Sequence, residues 1–563
     1  MTATEIDTQD DHATDLVVEN MADELVGLND HKLIGRLWIG GSLLFLLVIS
    51  VLGVVNNIER MSLGSTDIYG TVASYFQGWV LYRTGAIFLV AIPLFVGIAS
   101  VVVPLQVGSA SIAFPRLAAA AFWSWFVGAI VHIISFLADG GLGPENATRS
   151  EGTLLTLVSL GFIIVSLLAA SVCIATTVIA LRPVGMTLQR VPAFSWSMLV
   201  ATSVWLLSLP VLVANLIFAY ADLQGRPPIR FGLRDDMWAN LEWAWAQPQV
   251  YAYAIPVLGV LAEIVPVAAK QRQVGRDAIF ALIGLFGLLS FGAWAQHALS
   301  VGADPVFQAD TLDPESQGNF IYEEFLYIAF AVVIVLPVLG ILGGVADTVR
   351  RGTAPKPSGG LVGAGVGAVL LLLAVIVGHV RVLGDLSGVP GVSDLWDALH
   401  DNHVLLSSAT AQLSLVVAAV VASAIGALAY WAPKIFGGYA ADPLAMLASV
   451  AMLGGGALAG IADLVSALSG QPDISVADLG NGTVDGMNLI ATIGVALMAV
   501  GALTAIGVVM PALRSDETLP DDPWDGHTLE WAAPSPPPVG NFVEPIMTIT
   551  SAEPLLDELE EVN

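Results

Sequence analysis

Gln247-Pro248-Gln249-Val250-Tyr251 opens an apolar stretch that runs on to residue 269. A helix needs ~20 largely apolar residues to cross the ~30 Å of hydrocarbon in a bilayer, and this stretch is long enough. The next apolar stretch carries a second polar interruption, Trp294-Ala295-Gln296-His297. Working outward from these two, the hydropathy pattern predicts about twelve spanning segments. They fall at roughly 37–58, 84–107, 117–138, 153–181, 194–221, 247–269, 277–301, 321–346, 360–383, 404–432, 443–468 and 488–512. The expected fold class is an all-α polytopic membrane protein with twelve transmembrane helices.

Composition agrees with that class. The 563 residues are 56% hydrophobic and 12% charged, with a mean hydropathy of +0.78. That balance excludes an ordinary soluble domain and makes the lipid bilayer the first partner. The net charge of −28 excludes nucleic acid as a partner. Nine acidic side chains crowd residues 1–30 and twelve crowd 513–563. The chain therefore divides into an acidic tail (1–30), a membrane domain (31–512) and an acidic, Pro-rich tail (513–563), with the tails expected to be loosely ordered in part. Lys32, Arg36, Lys270, Arg272, Arg276, Arg350 and Arg351 cluster on one side of the expected topology. The positive-inside rule then places both termini in the cytoplasm and the helices in the plasma (inner) membrane. No basic segment precedes an early apolar one, so no cleavable signal peptide is expected. The single Cys173 allows no intrachain disulfide and reads as a core residue.

Several stretches resemble subunit I of the heme-copper oxidases. Asn29-Asp30-His31-Lys32-Leu33-Ile34-Gly35 resembles the entry to that family's first helix. Ala113-Phe114-Pro115-Arg116-Leu117 is similar to the connection between its second and third helices. Leu206-Leu207-Ser208-Leu209-Pro210-Val211-Leu212 is similar to its fifth helix. Pro523-Trp524-Asp525-Gly526-His527-Thr528-Leu529-Glu530-Trp531, followed by Ser535-Pro536-Pro537-Pro538, resembles its C-terminal segment. The two opening stretches match family motifs that read His-Pro-Glu-Val-Tyr and Trp-Ala-His-His.

The resemblance implies two hemes and a copper, held by imidazoles. Here most of those ligands are replaced. The copper positions become Gln247, Gln296 and His297. The low-spin heme ligand of the second helix falls on Tyr82-Arg83-Thr84-Gly85, leaving Tyr82 and Thr84 as vestigial heme positions. The tenth helix offers Ala411 and Leu413 in one register, or Ser408 and Thr410 in another. Tyr251 matches the family's active-site tyrosine, but the proton-carrying positions become Gln249 and Ile341. The connection that binds heme propionates through arginines reads Ser469-Gly470-Gln471-Pro472-Asp473. A metal site on the outer side is conceivable from His400, Asp401 and His403, where the resemblance implies a non-redox metal. His132 in the third segment and His379 near the outer end of the ninth are each isolated in sequence, and neither is expected to hold a metal. Glu263 reads as a snorkelling or paired acid near Lys270.

The expected function is a divergent subunit I-like component of a respiratory electron-transfer complex. It would lack bound heme and copper and act as a structural or partner subunit beside subunit II- or III-like chains or a catalytic paralogue. One alternative is an active terminal oxidase or nitric-oxide-reductase-like subunit that holds heme and copper with atypical ligands. The third reading is a transporter or quinone-binding protein.

Overall fold

Buried backbone in a bilayer must satisfy its own hydrogen bonds, and helices do this within one segment. The computed structural model describes residues 30–61, 67–142, 150–226, 237–293, 329–385, 404–471, 480–515 and 519–557. Among the described residues every regular element is helical. We label the long helices α1 (His31–Met61), α2 (Val72–Gln106), α3 (Pro115–Leu137), α4 (Ser150–Ala180), α5 (Ala193–Leu223), α6 (Gln249–Ala269), α7 (Arg276–Leu289), α8 (Ala329–Arg351), α9 (Gly359–Asp385), α10 (Val404–Ile435), α11 (Asp442–Leu468) and α12 (Gly482–Arg514).

Eleven of these are long and apolar enough to span a bilayer. The exception is α7, whose 14 described residues fall short of a span. Its expected continuation from 294 onward lies outside the described residues. The second helix begins at Val72, a dozen residues before the hydropathy pattern suggests. Its first turns are mixed in polarity, but Thr71 caps them by accepting from the Ser74 amide at 3.1 Å. At its middle, Ala86–Ala91 form a π-turn immediately before Pro93. Proline has no N–H to offer the preceding turn and crowds its carbonyl, so a widened turn there relieves both problems.

Three helices form the centre. The most apolar window is 100% buried in α2 and α10 and 94% buried in α6, against 33–50% in α1, α3, α5, α8, α11 and α12. The described positions that resemble heme and copper ligands, Tyr82, Thr84, Gln247, Ala411 and Leu413, therefore lie on or beside the three innermost helices. Small residues bring the layers together. A Cβ on Gly363 of α9 would collide with the backbone of Gly426 on α10, and one on Gly455 of α11 would collide with Gly494 of α12. Such contacts replace the hydrophobic drive that lipid cannot supply.

The C-terminal segment departs from expectation. Residues 519–557 are not a loose tail but a strap packed across the face that carries Lys32, Arg190 and Lys434. Trp531 is 1% exposed, and its indole Nε1 donates to the Tyr430 hydroxyl at 3.2 Å. Lys434 donates to the carbonyl oxygens of Asp521 and Ala533. Lys32 donates to Pro538 O at 3.1 Å, and Asn541 Nδ2 donates to Ser109 O at 2.7 Å. Arg272 pairs with Asp557 at 2.5 Å. The acidic and proline content suggested disorder, but the apolar and hydrogen-bonding residues interspersed with it fasten the segment down.

Candidate functional site

The site is built where α6, α9 and α10 meet. Gln247 precedes α6, and its Nε2 donates to the Gly378 carbonyl of α9 at 3.0 Å. Gln412 of α10 donates from Nε2 to Gln247 Oε1 at 2.9 Å and to the Tyr251 hydroxyl at 2.5 Å. The Tyr251 hydroxyl lies 3.2 Å from Gln247 Oε1, to which it donates, with Ala374 O a longer alternative at 3.4 Å. Gln247, Tyr251 and Gln412 are each at most 1% exposed. A Cβ on Gly378 would strike all three side chains, so the glycine is what lets α9 approach them. The expected copper and tyrosine positions are thus drawn into a neutral amide–phenol knot.

Gln412 was not among the expected site residues. It lies between Ala411 and Leu413, which both pack in the core, and it is the only amide side chain of α10. A lone amide in an otherwise apolar spanning helix was the available signal, since such a group must find a partner in the bundle. Gln412→Leu removes two donors and leaves the Tyr251 and Gln247 oxygens under-satisfied. The expected result is a loss of about 1–3 kcal/mol, read as a lower thermal midpoint in detergent. An unchanged midpoint would show that the knot contributes nothing.

The second expected centre lies between α2 and α10. Here Arg83 donates from Nη2 to Thr410 Oγ1 at 2.6 Å, and Tyr82 and Ser414 lie near each other. Thr410 and Ser414 flank Ala411 and Leu413 in sequence. The Arg83 guanidinium also lies 6.0 Å over the Trp238 ring. Thr84 faces away, toward α3, where its hydroxyl meets His132 Nε2 at 3.1 Å. His132 Nδ1 in turn meets Ser159 Oγ at 3.1 Å, so this isolated histidine is held by two hydroxyls. His379 has Nδ1 2.7 Å from Val375 O and Nε2 3.0 Å from Val332 O, and the neutral ring donates to one of the two. Beside Tyr82, a cleft lined by Leu46, Ile49, Val495 and Met498 leaves about 20 Å³ for the centre of a water-sized molecule. That is room for roughly one water.

The remaining expected positions are as follows. Gln249 is buried, donates to Ser208 Oγ at 3.0 Å and accepts from the Gly292 amide at 3.1 Å, tying α6 to α5 and to the end of α7. Ile341 of α8 is fully buried among apolar neighbours. Glu263 neither snorkels nor pairs with Lys270. It is 5% exposed and accepts from the Phe194 amide and the Thr528 hydroxyl, while Lys270 pairs with Asp525 at 3.0 Å. Gln296, His297, His400, Asp401 and His403 lie outside the described residues, as do Pro472 and Asp473.

This arrangement sits in a frame with clear relatives. Residues 33–310 match the family model described as cytochrome C and quinol oxidase polypeptide I. The chain is 28% identical over 540 residues to cytochrome c oxidase subunit 1 of Bacillus subtilis (strain 168), covering 91% of this chain and 79% of that one. The chain is thus similar to subunit I of the heme-copper oxidases over most of its length. The subunit I-like protein is also 28% identical over 545 residues to a putative cytochrome c oxidase subunit 1-beta of Streptomyces coelicolor (strain ATCC BAA-471 / A3(2) / M145), covering 94% and 89%. Its fold matches a solved heme-copper terminal oxidase dimer with a TM-score of 0.64 at 15% identity, over 94% of this chain and 89% of that one.

The family normally binds heme and copper. At the described positions of this chain the donors are two amides, a phenol, hydroxyls and a guanidinium. Low-spin heme iron needs axial ligands such as imidazole, and an amide oxygen is a poor ligand for copper. Arg83 and Thr410 bond to each other directly across α2 and α10 beside these positions. The described residues do not fit either group.

Proposed function

We propose that this subunit I-like protein is a cofactor-free member of a respiratory membrane complex, acting as a structural or partner subunit. The carrying observation is the pair of direct side-chain closures, Gln247–Gln412–Tyr251 and Arg83–Thr410, at the positions where the family holds metals. A buried polar group is costly unless it is partnered. Side chains that bond to each other across these gaps give the bundle its own cross-links there. The subunit names of its relatives support a place among other chains of an oxidase-type assembly, in the plasma membrane with both termini cytoplasmic. Subunits of the II or III type, or a catalytic paralogue of subunit I, suit that place.

The test is heme extraction and metal analysis on the folded protein purified from its own membranes, together with identification of the chains that co-purify. The expected result is sub-stoichiometric heme and copper in a well-folded preparation that carries oxidase subunits with it. About two hemes and one copper per chain, as the family requires, would return the oxidase reading and overturn this one.

A further inference from the structure

The strap meets the bundle at a pair of buried carboxyl groups, one on each side of the contact. Glu530 on the strap is fully buried, and Glu263 on α6 is 5% exposed. Thr528, two residues before Glu530 on the strap, brings them together: its hydroxyl donates to Glu263 Oε1 at 2.9 Å. Glu530 Oε1 accepts from Gln106 Nε2 at 3.0 Å and from Trp431 Nε1 at 3.2 Å. Gln106 is itself held, accepting from Ser195 Oγ at 2.7 Å. The other oxygen, Glu530 Oε2, is buried and has no hydrogen-bond partner.

The cations nearby are occupied elsewhere. Lys434 spends its ammonium on the strap carbonyls of Asp521 and Ala533. Arg276 donates to Val191 O at 2.5 Å and lies over the Phe280 ring. Both act on the pair only through space. The Tyr430 hydroxyl of α10 also lies within electrostatic reach of both carboxyls and carries no positive charge. Two carboxylates in one dry site, without a cation in contact, do not both ionise.

We propose that Glu263 and Glu530 hold a proton between them, and that this proton is the latch that fastens the C-terminal strap to the bundle. Raising the pH removes it to bulk water, leaves two carboxylates facing each other, and frees the strap. The direction follows from Glu530. Burial pushes its carboxyl above the ordinary carboxylate value. The docked state therefore keeps a proton that the undocked state gives up. Docking is strongest below the ordinary carboxylate pKa and weakens as the pH rises through the docked one.

Hydrogen exchange of the 527–533 segment, in the full chain in lipid nanodiscs, reads this directly. After correction for the intrinsic exchange rate, the opening equilibrium should rise by up to about tenfold per pH unit across the titration, as expected for one proton. Glu263→Gln and Glu530→Gln should each make the dependence shallower, and the double variant should make it flat. A side chain with only a packing role would change the protection without changing the slope. A flat wild-type profile, or a double variant with the wild-type slope, overturns the proposal. If the variants do not fold, infrared spectroscopy of the wild type decides. A buried protonated-carboxyl band that bleaches as the segment opens supports the latch, and a band absent or indifferent to pH overturns it.

Discussion

Trp531→Ala lifts the C-terminal strap and lowers the stability of the bundle by about 3–5 kcal/mol, the usual cost of emptying a buried tryptophan site. The strap has many polar fastenings, but Trp531 is its largest fully buried apolar side chain, at 1% exposure. Its ring packs edge-on against Tyr430 at 5.2 Å between centroids and lies 5.1 Å from the Lys434 ammonium. The indole Nε1 also donates to the Tyr430 hydroxyl. Truncation therefore leaves a cavity, removes a donor and strips Lys434 of one face of its surroundings. The neighbouring Trp524 gives the control. It donates to Tyr430 O at 3.0 Å but is 36% exposed, so Trp524→Ala should cost clearly less. Thermal unfolding in detergent, with hydrogen exchange across 519–557, separates the two. Equal losses for both variants would mean that the strap is held by its hydrogen bonds rather than by Trp531.

The strap also shows where the sequence could and could not be read. Hydropathy located the helices because a bilayer imposes a long apolar run on each, but α7 ends at Leu289, short of the expected 277–301, with 290–293 already out of the α-helix. Helix α2 started early because Thr71 caps a mixed first turn that no hydropathy window registers. The acidic tail read as loose because charge and proline dominate its composition, while its fastening depends on a few scattered residues such as Trp531, Glu530 and Asn541. Partners of those residues lie from about 100 to about 500 positions away, in or next to α1, α2 and α10, and spacing along the chain carries no trace of them. The same holds at the candidate site. Gln247 and Tyr251 were visible as departures from a motif, whereas Gln412 and Gly378 take meaning only from the approach of α9 and α10. Arg83 was quoted within its stretch, but only the helix register shows that it, rather than Thr84, faces α10. On the cofactor-free reading, these are the residues that had to change for the bundle to close.

Asp463→Ala should be as damaging as Trp531→Ala, for an electrostatic reason. Arg60 near the end of α1 and Asp463 near the end of α11 form an ion pair at 2.5 Å, with side chains 8% and 4% exposed. The guanidinium lies 5.7 Å over the Trp79 ring of α2, so three helices converge on it. Taking both charges out of water is expensive, and their attraction repays the cost only while both are present. Removing the carboxylate leaves Arg60 buried with its main counter-charge gone, at a cost of about 3–5 kcal/mol. Replacing both partners by apolar residues of similar size, as in Arg60→Met with Asp463→Leu, removes the desolvation cost along with the attraction. That double variant should be near neutral. Thermal unfolding of the two single variants and the double variant tests this as a cycle. If the double variant loses as much as the sum of the singles, the two charges do not act as a pair, and the outer ends of α1 and α11 are held by packing alone.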